Sequence, residues 1–83
     1  MRVLYFAWLR ERTGKSGEEL SPPPEVTTPR ALIAWLRPQS PGYAAAFQDE
    51  KLIRCAIAQE FRPLDEPFGD AEEIAFFPPV TGG

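Results

Sequence analysis

Two apolar runs, one near each end of the chain, constrain its fold more than anything between them. The first is Val3, Leu4, Tyr5 and Phe6; the second is Ile74, Ala75, Phe76 and Phe77. Both consist of β-branched, aromatic or aliphatic residues without a breaker, so they read as strands over Arg2 to Ala7 and Glu73 to Phe77. Each is apolar on both faces, which suits the middle of a sheet rather than its edge. The two are therefore expected to form the central pair. By alternation Val3, Tyr5, Ile74 and Phe76 take the face a helix covers, and Leu4, Phe6 and Phe77, with Phe61, take the other. Aromatics grouped on an uncovered face suggest a docking patch.

Proline punctuates the sequence between these runs. Trp8 to Arg12 reads as a short helical turn and Thr13 to Gly17 as a loop. Glu18 to Ser21 reads as a short strand with Leu20 facing inward. Pro22, Pro23 and Pro24 end it, and because proline cannot donate to a ladder, the strand belongs at an edge. Thr28 as N-cap and Pro29 at the first helical position open the main helix, whose apolar stripe is Leu32, Ile33, Trp35 and Leu36. Pro38 stops it around Arg37. Pro41 to Gln48 is expected to be a second, shorter helix. Leu52 to Ala58 is a strand in which Ile53, Cys55 and Ile57 alternate with Arg54, Ala56 and Ala58. Gln59 to Pro63 pairs back on it, and Leu64 to Asp70 is a loop. The acidic pair Glu72 and Glu73 reads as the solvated entrance to the last strand. The sum is an α+β layout: one helix across one mixed sheet, in a single domain spanning 1–83.

Bulk properties narrow the function. With a net charge of −3 and a pI of about 4.9, the chain lacks the basic stripe that nucleic acid demands. Its one cysteine, Cys55, permits no intramolecular disulfide and reads as a small buried hydrophobe, in keeping with a reducing compartment. No apolar run approaches the ~18–20 residues of a membrane span. The N-terminal segment lacks the long apolar centre and cleavage site of a signal peptide, so a cytoplasmic protein is expected. The absence of histidine removes the commonest general base and metal ligand, and no metal site is expected. Such a chain takes part in chemistry by bringing a substrate-like group rather than a catalytic machine.

That group is found where the last strand runs out into Pro78, Pro79, Val80, Thr81, Gly82 and Gly83. The two prolines have fixed φ and cannot continue a central ladder, so they are expected to lift 78–83 off the sheet as a semi-rigid arm. Gly82 and Gly83 contribute nothing to a core. A tail this thin can thread a channel where a side chain would clash and present the Gly83 carboxylate to another protein. The Thr81 hydroxyl can anchor the arm in a groove.

The N-terminal Val3, Leu4, Tyr5, Phe6, Ala7, Arg10, Glu11 and Gly14, and the closing Ala75-Phe76-Phe77-Pro78-Pro79-Val80-Thr81-Gly82-Gly83, resemble the small, sulfur-carrying subunits of molybdopterin synthase. The resemblance covers essentially the whole chain, and the closing motif matches residue for residue. It implies a ubiquitin-like β-grasp fold with a sheet of about five strands. It also implies a cycle: a partner enzyme adenylates Gly83 with ATP, sulfur replaces the adenylate as a thiocarboxylate, and the tail delivers sulfur to cyclic pyranopterin monophosphate inside the large synthase subunit. The chain itself then needs no cofactor. The implied partners are the large subunit, in a heterotetramer, and the ATP-dependent activating enzyme. Gly83 is the reacting residue, and Gly82, Thr81, Val80, Pro79, Pro78, Phe77, Phe6 and Phe61 are the residues expected to meet partners. Two turns depart from the family pattern: Ala58 stands where an asparagine is usual, and Ala71 where a glycine is usual. The same activated end also suits a sulfur carrier for thiamine, cysteine or tRNA thiolation, or a ubiquitin-like modifier that acylates lysine. A plain interaction domain with an inert tail is the remaining reading.

Overall fold

The two end runs do pair. In the computed structural model, which describes residues 1–79, strand β1 (Arg2–Tyr5) lies parallel to β5 (Glu73–Phe77), with Val3 opposite Ile74 and Tyr5 opposite Phe76. Three further strands complete the sheet: β2 (Gly17–Glu19), β3 (Arg54–Ile57) and β4 (Glu60–Arg62). The order is β2-β1-β5-β3-β4, so β5 occupies the centre and every other pairing is antiparallel. This is the mixed sheet of a β-grasp. The edge position expected for the strand before Pro22 is met by β2.

β1 ends sooner than its composition suggests. Ala7 takes a φ of 56°, which turns the chain out of the sheet and into α1 (Trp8–Thr13). Helix α2 (Pro29–Leu36) starts as expected: the Thr28 hydroxyl accepts from the Ala31 N–H at 3.1 Å, and Pro29 occupies the first turn. Helix α3 (Pro41–Ala46) is capped the same way by Ser40, which accepts from the Tyr43 N–H. The strand expected from Leu52 begins only at Arg54. Asp49 accepts the Lys51 N–H and winds Glu50–Leu52 into a single 3₁₀ turn, which leaves Leu52 exposed.

The core lies between the sheet and the helices. Val3, Tyr5, Ile74 and Phe76 are buried on the covered face, as the alternation predicts, with Leu32, Ile33 and Leu36 of α2 in the same cluster. Trp35 and Leu20 are half-buried and pack at its border. Tyr5, Phe47 and Phe76 interlock, with Phe47 edge-on to Phe76 at 5.3 Å between ring centroids. A buried aromatic of this kind contributes about 1.5–3 kcal/mol over the exposed state. Among the described residues no helix is long and apolar enough to cross a membrane.

Candidate functional site

The uncovered face is not uniformly open. Leu4, Ala75, Ala56 and Phe61 lie side by side across β1, β5, β3 and β4. The two alanines between larger neighbours are themselves buried, although Ala56 reads as an outward position in sequence. Phe61, at the end of this row, is 82% exposed. Its ring lies 5.4 Å from that of Phe77, the last residue of β5. Phe6 joins them from β1's end, where its N–H donates to the Phe76 carbonyl at 3.1 Å.

Pro78 and Pro79 leave the sheet between two open grooves. One, of about 530 Å³, is bordered by Phe61, Phe77, Arg54, Arg62, Pro63 and Pro79. The other, of about 270 Å³, is bordered by Trp8, Arg12, Leu52, Asp49, Pro78 and Pro79. Both prolines are half-buried. The large exposed apolar side chains among the described residues are Phe6, Leu52 and Phe61: Phe61 and Leu52 each border one groove, and the Phe6 backbone is hydrogen-bonded to Phe76, next to Phe77. Phe61, Phe77 and Pro79 lie together along one groove, Pro78 borders the other, and Phe6 lies at the end of β1 alongside Phe76. Val80, Thr81, Gly82 and Gly83, and with them the expected arm, lie outside the described residues.

Sequence reasoning missed Trp8, Arg12, Leu52 and Arg54 as neighbours of the exit. Arg54 arrives there because it pairs with Phe77 across β3 and β5. Leu52 arrives because its 3₁₀ turn points it away from the core. Arg54's place depends on pairing between distant segments and has no local signal, whereas the Leu52 turn has one, the Asp49 cap two residues before Lys51.

Two further polar clusters hold the site's scaffold. Glu18 of β2 accepts from the Tyr5 hydroxyl at 2.6 Å, the Tyr43 hydroxyl at 2.5 Å and Lys15 Nζ at 3.1 Å. Burial alone pushes the Glu18 carboxyl up, but the hydrogen bonds from Tyr43, Tyr5 and Lys15 together outweigh it and hold the group below its ordinary value. Arg30 of α2 bridges Asp65 and Glu50 and so ties the loop before β5 to the turn before β3. Cys55 is buried, donates to the Arg62 carbonyl and has its thiol pushed up to about 11, first by burial and then by the Glu66 charge. A thiol in that state is a packing group rather than a nucleophile.

Comparison with known proteins agrees with this geometry. A family model described as the ThiS family matches residues 3–83. The molybdopterin synthase sulfur carrier subunit of Escherichia coli (strain K12) is 40% identical over 83 residues, covering all of this chain and 99% of that one. Its counterpart of that name from Homo sapiens is 34% identical over 88 residues, covering all of this chain and 93% of that one. Among solved structures, SAMP1 from Haloferax volcanii superposes with a TM-score of 0.68 at 26% identity, over 100% of this chain and 98% of that one. The fold is that of the ubiquitin-like β-grasp proteins.

Proposed function

The chain belongs to the ThiS family, and from that premise we propose that it is the sulfur carrier subunit of a molybdopterin synthase. The observation that carries the reading is the exposure of Phe61 and Leu52 on the two grooves at the exit of β5, with Phe6 exposed at the adjoining end of β1. Apolar side chains near the root of a side-chain-poor tail suit a protein that docks by them and inserts the tail.

In this reading Gly83 carries the chemistry. A carboxylate is a poor electrophile, so a partner enzyme first joins it to the AMP moiety of ATP, with pyrophosphate leaving. A sulfide-level donor then attacks the carbonyl carbon and AMP departs, leaving a thiocarboxylate. The large subunit receives the tail, the sulfur passes to cyclic pyranopterin monophosphate, and water supplies the oxygen that restores the Gly83 carboxylate. Residues 80–83 follow Pro79, and four extended residues reach at most about 14 Å. Each enzyme that acts on Gly83 must therefore bring its reactive centre within that distance of Pro79, which places its surface against Phe6, Leu52 and Phe61. Gly82 lets the site close around the carbonyl, Thr81 and Val80 line the inserted arm, and Pro78 and Pro79 set its direction.

Intact mass spectrometry of the chain purified from its native host tests this. The expected result is a species heavier by the exchange of one oxygen for sulfur, placed by fragmentation on Gly83, in a sample that also retains the large synthase subunit. Full synthase activity in a chain lacking Gly83 would sink the proposal.

A further inference from the structure

β5 runs from an acidic end to a basic one. The surface hollow at its start is bordered by Asp70, Glu72 and Glu73 beside the Ala58–Gln59 turn, and the nearest cation in the sheet, Arg2 opposite Glu73, is ion-paired with Glu19. The two grooves at its exit carry Arg12, Arg54 and Arg62 against the single carboxylate of Asp49. A chain of net charge −3 thus presents a local excess of positive charge where its tail leaves.

The three arginines are not equivalent. Arg62 is already matched, by Glu60 at 2.9 Å and Glu66 at 3.3 Å. Arg54, in one groove, donates through Nη1 to the carbonyls of Lys51 and Ile53, both at 3.1 Å. Arg12, in the other, donates to the Ala45 carbonyl at 3.2 Å and lies 4.5 Å over the Trp8 ring. Both are exposed, and among the described residues neither meets a carboxylate within ion-pairing distance. Backbone carbonyls and an aromatic face hold these guanidiniums in place while most of their five N–H donors stay available. Asp49 is one carboxylate against two guanidiniums, and among the described residues it forms an ion pair with neither.

We propose that Arg12 and Arg54 recognise a protein whose apolar hollow, receiving Phe6, Leu52 and Phe61, is bordered on each side by a carboxylate. The inference rests on the docking function above and adds the chemistry of the docking partner. One guanidinium stands on either side of Pro79, so two carboxylates flanking a channel mouth engage both and set the rotation of the carrier about its tail. The carboxylates at the far end of β5 repel the same acidic border. Together the two ends orient the encounter before contact.

The test is the association rate of the full chain with the large subunit of molybdopterin synthase from the same organism, measured by stopped flow at low and raised salt. The double reversal R12E/R54E is expected to slow association at least about tenfold at low salt, and the gap should narrow as salt rises. R54K and R12K should retain most of the rate, because they keep the charge. E72K, at the far end, should leave the rate equal or raise it. Melting curves establish that each variant is folded. An unchanged or faster rate for R12E/R54E overturns the inference while leaving docking intact. Failure of the wild-type chain to bind the large subunit at all overturns the functional reading, and this inference with it.

Discussion

The covered and open faces of the sheet each carry an aromatic cluster, and the two clusters do opposite things. On the covered face Tyr5, Phe47 and Phe76 touch ring to ring and are sealed from water. On the open face Phe61 and Phe77 meet at a similar separation, 5.4 Å, yet Phe61 is 82% exposed. Consecutive residues of β5 serve both: Phe76 points into the core and Phe77 to the other side. The contact geometry is therefore not what separates a buried, stabilising cluster from an exposed one. The separation comes from what lies over it, helices in one case and solvent in the other.

The sharpest way to break this comparison is to truncate one ring from each cluster. Phe76→Ala is expected to cost about 3–5 kcal/mol of folding stability, through lost transfer energy and the cavity left behind. Phe61→Ala is expected to change stability by less than about 1 kcal/mol and yet weaken binding to the large subunit by about 1–3 kcal/mol. Denaturant titration and calorimetric binding on the same pair of variants separate the two. Equal stability losses would erase the distinction between the faces.

A smaller effect is expected at Glu18, which joins β2 to the covered side through Tyr5 and Tyr43. Its folded pKa lies below the ordinary value of 4.5, so the carboxylate stabilises the fold above that pH. The contribution disappears as pH falls through the lower, folded value. Glu18→Gln should cost about 1–2 kcal/mol at neutral pH and flatten the acid limb of the stability profile. Melting temperature against pH is the measurement, and an acid limb as steep as that of the wild type would show that Glu18 does not contribute.

The smallest effect concerns the β3–β4 turn that brings Phe61 opposite Ala56. Ile57 and Glu60 close a two-residue hairpin in which Ala58 and Gln59 have φ of 49° and 69°. Such a turn favours asparagine and glycine, and alanine offers neither the side-chain hydrogen bond nor the freedom of glycine. Ala58→Asn is expected to stabilise the chain by about 0.5–1 kcal/mol, read from the urea midpoint. The asparagine that the resemblance leads one to expect is thus missing from this chain at a position where the backbone asks for it.

Much of the fold was legible because it is written locally. The alternation in Val3–Phe6 and Ile74–Phe77, the Thr28–Pro29 cap and Pro38 each act within a few residues of themselves. What was not legible is what distant segments do to one another. Glu18 reads as a polar residue in a short edge strand, but its partners stand 13 and 25 residues away. Ala56 reads as outward, and only the row formed with Leu4, Ala75 and Phe61 buries it. The same holds at the site: Phe6, Phe61 and Phe77 could be read from face alternation, whereas Arg54 comes to the exit through strand register.

Both outer strands are three residues long, and proline follows each: Pro63 directly after β4, and Pro22 to Pro24 shortly after β2. An unpaired strand edge is a template for adding further chains, and proline within reach of it removes the donor that such growth needs. The edges left beside the exposed aromatics are therefore only three residues long and stop at proline, which limits how far a second copy could extend the sheet.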